Sequence, residues 1–347
     1  MQRSSTLALS GLLLLGCIAP SSLATSRLDS QSRQSPPSSP TVVAVGAYLS
    51  NVPKVSLKEN AFSFEMFLWF RWDPERWPPA GLGQSADSAI GPAGQFEIVN
   101  GFGMRRQIVA EEPGYVCLQV SGQATRMWDI RNFPFDEQML RIEIEDSTYE
   151  SDLVRYEPDR ADSIRNPDLK IPGFEIGSLS IGATDHRYHT AYGDPTPTGG
   201  SASSDYSRVS IDLPIGRLGW GRFLKLFTAT FVATGIAVLS LGIRGSMAAP
   251  RISVCVGALF AVVGSGYVIG NLLPDGSDLV FADKVQIAGM ATVFIAMLQA
   301  VVSMRMHASE SPGTAALADR IDRVLLVGLP IAFVISVTLL VRSAVAA

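Results

Sequence analysis

Four long runs almost free of charge, at about residues 223–243, 252–273, 285–304 and 324–341, constrain this chain more than any other feature. Each supplies the ~20 apolar residues that an α-helix needs to cross a ~30 Å hydrocarbon core. Lys225, the one charge inside them, lies near the first boundary, where its stem can stay in lipid while its ammonium reaches water. Pro330 would be costly in a soluble helix but is tolerated in a membrane one. The flanking charges sort by side, with Arg244, Arg251, Arg305, Arg320 and Arg323 at one end of the runs and Asp275, Asp278 and Asp283 at the other. Basic residues mark the cytoplasmic side, which predicts a helical membrane domain over 218–347 with the N-terminal domain and the C-terminus both outside. No carboxylate falls inside the runs, which argues against a transporter with a charge buried near the midplane.

The overall 47% hydrophobic and 17% charged content hides a split, because most of the charge lies before Arg222. Arg3, an apolar core over 7–15 and the small residues after it predict a secretory leader over 1–24. Two processing sites stay open, since Ser22-Leu23-Ala24 has the form of a signal-peptidase site and Leu14-Leu15-Gly16-Cys17 that of a lipobox before a lipidated cysteine. Residues 25–41, rich in Ser, Gln and Pro, predict a disordered tether. A formal net charge of -4 without a polybasic tract argues against nucleic acid as a partner. Cys17, Cys117 and Cys255 cannot build a disulfide framework or a thiolate metal site, and no cofactor or metal is expected.

Over 42–217 the pattern switches to period two. Leu140, Ile142 and Ile144 alternate with Arg141, Glu143 and Glu145. Phe62, Phe64, Met66, Leu68 and Phe70 keep one parity, as do Val209, Ile211, Leu213 and Ile215. Pro78-Pro79, Gly91-Pro92, Pro113-Gly114 and the stretch 193–204 punctuate these strands, which predicts an antiparallel all-β sandwich. Glu143, Glu145 and Asp146 read as a solvated strand face, with a divalent cation as the alternative.

The most specific local signal is Phe133-Pro134-Phe135-Asp136-Glu137-Gln138, between the strand-like segments 125–130 and 139–146. Here the chain resembles the Cys-loop receptor superfamily of pentameric ligand-gated ion channels, in which such a loop at the base of an immunoglobulin-like β-sandwich rests on a four-helix membrane domain. Arg126 and Leu140 stand where eukaryotic members carry bridged cysteines, so the resemblance is to prokaryotic-type members lacking that pair. It implies an extracellular sandwich coupled to the pore through Phe133, Pro134, Phe135, Asp136, Gln138 and Arg217, which meet the linker that begins at Pro274. It also implies a homopentamer in a bacterial plasma membrane, a small extracellular ligand, and inorganic ions as the permeant species.

The second run differs in composition from its neighbours. Ser253, Gly257, Phe260, Gly264, Tyr267 and Asn271 recur at spacings of four and three, forming one helical stripe of small or polar residues with two aromatic rings. Helix packing explains small residues, as in the pair Gly266 and Gly270. The resemblance instead implies a pore lining, with Phe260 as an apolar gate and Asn271 and Asp275 at the outer mouth. Ala248-Ala249-Pro250-Arg251 at the inner mouth lacks a carboxylate and leans towards anions.

Ligand binding in the family lies between subunits among aromatics. The resemblance carries this role to Phe67 and Trp69 on one strand, to Tyr149 in the segment Asp146-Ser147-Thr148-Tyr149, and to Tyr188, Tyr192 and Tyr206 around the 193–204 loop. Ser147 replaces the tryptophan that would stack on a quaternary ammonium, which counts against an acetylcholine-like agonist. No phosphate-cradling loop, nucleophile elbow or zinc-helix motif is present, so an enzyme is not expected. The alternative function is a membrane-tethered binding or sensor protein that conducts nothing.

Overall fold

The computed structural model describes residues 39–79, 86–190, 203–217, 219–276, 278–309 and 312–346. The leader at 1–24 with Cys17, most of the tether, Tyr192 and most of the 193–204 loop lie outside the described residues.

The strands are β1 (Thr41–Asn51), β2 (Val55–Ser56), β3 (Ala61–Trp72), β4 (Phe96–Ile98), β5 (Gly101–Glu112), β6 (Tyr115–Thr125), β7 (Glu137–Asp146), β8 (Val154–Pro158), β9 (Ile164–Arg165), β10 (Phe174–Ile176), β11 (Ser180–Tyr188) and β12 (Ser204–Arg217). They form two sheets. The first runs β5-β6-β3-β1-β8, with β2 on β3 and β9 on β1, and the second runs β10-β12-β7-β4, with β11 on β12. Among the described residues only β8 and β9 pair in parallel, both with β1. The Pro113-Gly114 turn closes the hairpin from β5 to β6, Gly114 taking the φ of 80° that a side chain would resist.

Period-two patterning sets the register. Val209 lies opposite Ile144, Ile211 opposite Ile142 and Leu213 opposite Leu140, so three successive pairs put apolar side chains on one face of the β7–β12 pair. Phe64, Met66, Leu68 and Phe70 of β3 supply the other wall, each fully buried. A slip of one residue would turn both walls to water. Each such side chain contributes about 1.5–3 kcal/mol on burial.

Four helices long and apolar enough to cross a membrane follow: α1 (Gly219–Leu239), α2 (Ala248–Gly270), α3 (Phe281–His307) and α4 (Pro312–Val345). Their boundaries differ from the hydropathy expectation, most of all in α4, which starts at Pro312 instead of near 324. Hydropathy marks only what lipid could cover, whereas Asp319, Arg320, Asp322 and Arg323 continue the same helix beyond that stretch. The core of the two-sheet domain runs on without a break into the sheet-proximal end of the bundle through Phe223, Phe227, Phe281 and Val341. A second apolar cluster, including Ala237, Cys255, Val262 and Val293, fills the bundle further from the sheets.

Candidate functional site

Three regions bring chemistry-bearing residues together. The first is a cavity of about 360 Å³ lined by Glu97, Glu145, Asp146, Ser147, Tyr188 and Tyr206. It lies on the outer face of the second sheet, because Glu97, Glu145 and Tyr206 have the opposite parity to the buried Ile98, Ile144 and Val209. Strand pairing sets Glu97 opposite Glu145, and Glu145 opposite Arg208. Two carboxylates facing each other repel, and Arg208 offsets this. Its Nε donates to Glu145 Oε1 at 2.5 Å and its Nη2 to the Tyr188 hydroxyl at 3.0 Å, while Nη1 lies 3.4 Å from Glu143. The Tyr188 hydroxyl donates to Glu145 Oε2 at 2.9 Å, and burial together with that carboxylate pushes its pKa up to about 12.

Asp146 is only 2% exposed. Its Oδ1 accepts from the backbone N–H groups of Thr148 and Tyr149, both at 2.8 Å, and its Oδ2 from the Tyr156 hydroxyl at 3.3 Å. Burial outweighs these bonds and lifts its pKa to about 6. The expectation of a solvated acidic face is therefore corrected for Glu145 and Asp146, which the tyrosines and Arg208 cover. Among the described residues no group of His, Cys, Asp and Glu converges to hold a metal ion.

Of the expected ligand residues, Tyr188 and Tyr206 meet here, ring centroids 5.9 Å apart and edge-on. Tyr149 does not join them, for it is 3% exposed and packs edge-on against Trp77 in the core. Phe67 and Trp69 sit on the outer face of the other sheet, so one chain does not bring them to the tyrosines. Trp69 lies flat over Gly46, its partner across the strands, so closely that a Cβ could not fit there, and its Nε1 donates to Asp159 at 3.0 Å. Glu97 and Arg208 were missed, because neither stands in a motif and only the strand pairing makes them neighbours.

The second region joins the two domains. Phe133 is fully buried and precedes a cis proline, Pro134. Arg217, at the end of β12, places its guanidinium over the rings of Phe133 and Phe174 at 5.2 and 4.6 Å. Its Nε donates to Asp136 Oδ2 at 3.0 Å and lies 2.8 Å from Oδ1, with both side chains 2% exposed. Burial lowers the Arg217 pKa, and the Asp136 carboxylate opposes that. Gln138 Nε2 donates to Asp136 Oδ2 at 2.8 Å and to the Asp129 carbonyl at 2.6 Å. Phe135 reaches into the bundle, its ring 5.3 Å from Trp220, 5.6 Å from Phe223 and 5.7 Å from Phe281. The Phe281 N–H donates to the Arg131 carbonyl at 2.8 Å, tying the start of α3 to the same loop. Pro274 borders a cavity of about 450 Å³ shared with Asn60, Trp128 and Ile130.

The third region is the free face of α2. Ser253, Gly257, Phe260, Gly264, Tyr267 and Asn271 are all exposed, Phe260 by 74% and Tyr267 by 73%, while Cys255, Ala258, Val262 and Ile269 on the opposite face are buried. A Cβ added at Gly257, Gly264 or Gly270 would meet nothing within 4 Å. These glycines therefore do not serve packing inside the subunit. Arg251 departs from its expected place at a mouth: its side chain is fully buried and its Nη1 donates to Asp322 Oδ2 at 2.9 Å. The lean towards anions loses this arginine. Asp322, placed outside the fourth run by hydropathy, is a buried carboxylate within α4.

Comparison with models of known protein families and with curated proteins finds no match.

Proposed function

We propose that the chain is one subunit of a homopentameric ligand-gated ion channel of the prokaryotic Cys-loop type. In this assignment the sheet domain is an immunoglobulin-like sandwich outside a bacterial plasma membrane, α1 to α4 span the membrane, and the C-terminus returns to the outside. The observation that carries the proposal is the exposed α2 stripe. A helix of membrane-crossing length that turns Ser253, Gly257, Gly264 and Tyr267 outwards, with Asn271 exposed at its C-cap, while Cys255, Ala258, Val262 and Ile269 pack inwards, offers lipid a face poor in apolar side chains. Five copies around an axis would place that stripe along a water-filled path and Phe260 in an apolar ring that blocks ions by dewetting.

The ligand chemistry that fits the cavity is a small cation, since Glu97, Glu145 and Asp146 outnumber Arg208 there and two tyrosine rings wall it. Subunit association would bring Phe67 and Trp69 of a neighbour towards this face. Coupling runs along β12, which carries Tyr206 and Arg208 at the cavity and Arg217 at the junction, about 30–36 Å away at the ~3.3 Å rise of a strand residue. A displacement of β12 would pass through Asp136 and Phe135 to Phe281 and the 271–280 connection, and so to the end of α2.

The test is purified protein in planar bilayers under a panel of small amines. Ligand-dependent current is expected, and chemical cross-linking is expected to trap a ladder ending at five subunits. A stable monomer or dimer, or a pentamer that never conducts, overturns the proposal, the second outcome favouring a non-conducting sensor.

A further inference from the structure

We propose that the buried Arg251–Asp322 pair sets the rotational position of α2, Asp322 acting as a positioning residue for the helix that carries the exposed stripe. Arg251 is among the largest fully buried side chains of the protein. It lies in the first turn of α2, where the helix dipole disfavours a cation. Its Nε and Nη2 are enclosed without any hydrogen-bond acceptor. The Asp322 carboxylate compensates that charge and is itself held from a third helix: Gln299 Nε2 of α3 donates to Oδ1 at 2.8 Å and Ser303 Oγ to Oδ2 at 3.0 Å. Three helices thus meet at one ion pair at the end of the bundle remote from the sheets.

Along its most apolar stretch α4 is only 6% buried, against 44% for the span of α1. On α2, Arg251 belongs to the inward row that continues through Cys255, Ala258, Val262, Ser265 and Ile269, all buried. That row has the same four-and-three spacing as the outward stripe. Small residues such as Ala258 offer little resistance to rotation of the helix about its axis, whereas a paired guanidinium opposes it, since turning it away leaves the buried Asp322 carboxylate without a counter-charge. The pair therefore fixes which residues of α2 face outwards.

The inference takes the pore role of the stripe from the proposed function, but its test does not depend on conduction. In the full-length protein with Cys17 and Cys117 replaced by serine and Cys255 by alanine, single cysteines at Gly257 and Ala258 are reacted with a charged methanethiosulfonate. The outward position is expected to react faster by about tenfold or more, as an exposed thiol does over an enclosed one. Asp322→Asn, or Arg251→Met with Asp322→Leu if the single change does not fold, is expected to bring the two rates together. The charge exchange Arg251→Asp with Asp322→Arg is expected to restore part of the difference. A rate ratio that survives loss of the pair in folded protein overturns the inference. A preserved ratio in the parent with no current under any ligand overturns the channel assignment alone.

Discussion

Replacing Asp136 by Asn removes one charge from the domain junction without changing the shape of the side chain. The carboxylate has two donors to satisfy, Arg217 Nε at 3.0 Å and Gln138 Nε2 at 2.8 Å, both on Oδ2, and Arg217 Nε also lies 2.8 Å from Oδ1. An amide has one oxygen, so whichever way it turns, an N–H meets a donor. More costly is the arginine, 2% exposed and left without a counter-charge. Removing one partner of a buried pair costs about 3–5 kcal/mol. At about 2–4 °C per kcal/mol for a unit of 150–250 residues, the unfolding midpoint should fall by about 6–20 °C. Tryptophan fluorescence during heating of the detergent-solubilised protein reads this directly, because Trp220 touches Phe135. Asp129→Asn is the control, since its partner Arg131 is largely in water at 75% exposed, and its midpoint should stay where it was. The double change Asp136→Leu with Arg217→Met should recover most of the loss while leaving the domains uncoupled. A fall below about 2 °C for Asp136→Asn, within the range of an exposed pair, would refute the assignment of this pair as a buried and mutually dependent unit.

Under the proposed channel assignment, Phe260→Ser should give current without ligand, because a hydroxyl ring wets where a phenyl ring does not; an unchanged closed state in bilayer recordings sinks its place as the gate. Burial lifts Asp146 to about 6, above the ordinary 3.8, so the folded domain holds a proton that the unfolded chain has released. Its contribution to stability is present below pH about 4 and is lost as pH rises to about 6, a difference of about 3 kcal/mol. Asp146→Asn, which keeps an acceptor for the Thr148 and Tyr149 N–H groups, should remove that slope from a pH series of denaturant unfolding, and an identical slope in both proteins counts against it. At Gly289 on α3 an added Cβ would lie 2.8 Å from Thr230 Cγ2 and 3.3 Å from Thr234 Oγ1. Gly289→Val should destabilise the bundle by about 1–3 kcal/mol, and an undiminished thermal midpoint would show that α1 and α3 are not packed this closely.

Much of the architecture was legible because it is local. The parity of Phe62 to Phe70 and of Val209 to Ile215 states which face of each strand is apolar, and every one of those residues of that parity is buried. The stripe from Ser253 to Asn271 was legible for the same reason, since a 3.6-residue period needs no knowledge of neighbours. Hydropathy failed where a helix outran its apolar stretch, at Pro312 to Arg323. It also failed at Asp322, whose burial depends on Arg251, Gln299 and Ser303 from two other helices. Tyr149 looked like its neighbours in the ligand set, and only the position of Trp77 sends it into the core.

By itself, then, the sequence determined a strand-rich domain, four helices long and apolar enough to cross a membrane, and one helix with an unusual outward face, because each follows from periodicity along a single element. Tertiary structure decided which charges are neighbours. Glu97, Glu145 and Arg208 come from three strands to make one acidic cavity, and Arg251 turns away from the face where its position in the chain had placed it. A hydrogen-bonded ion pair needs its atoms within about 3 Å, so such pairs are set by contacts across elements, which no run of residues along the chain encodes.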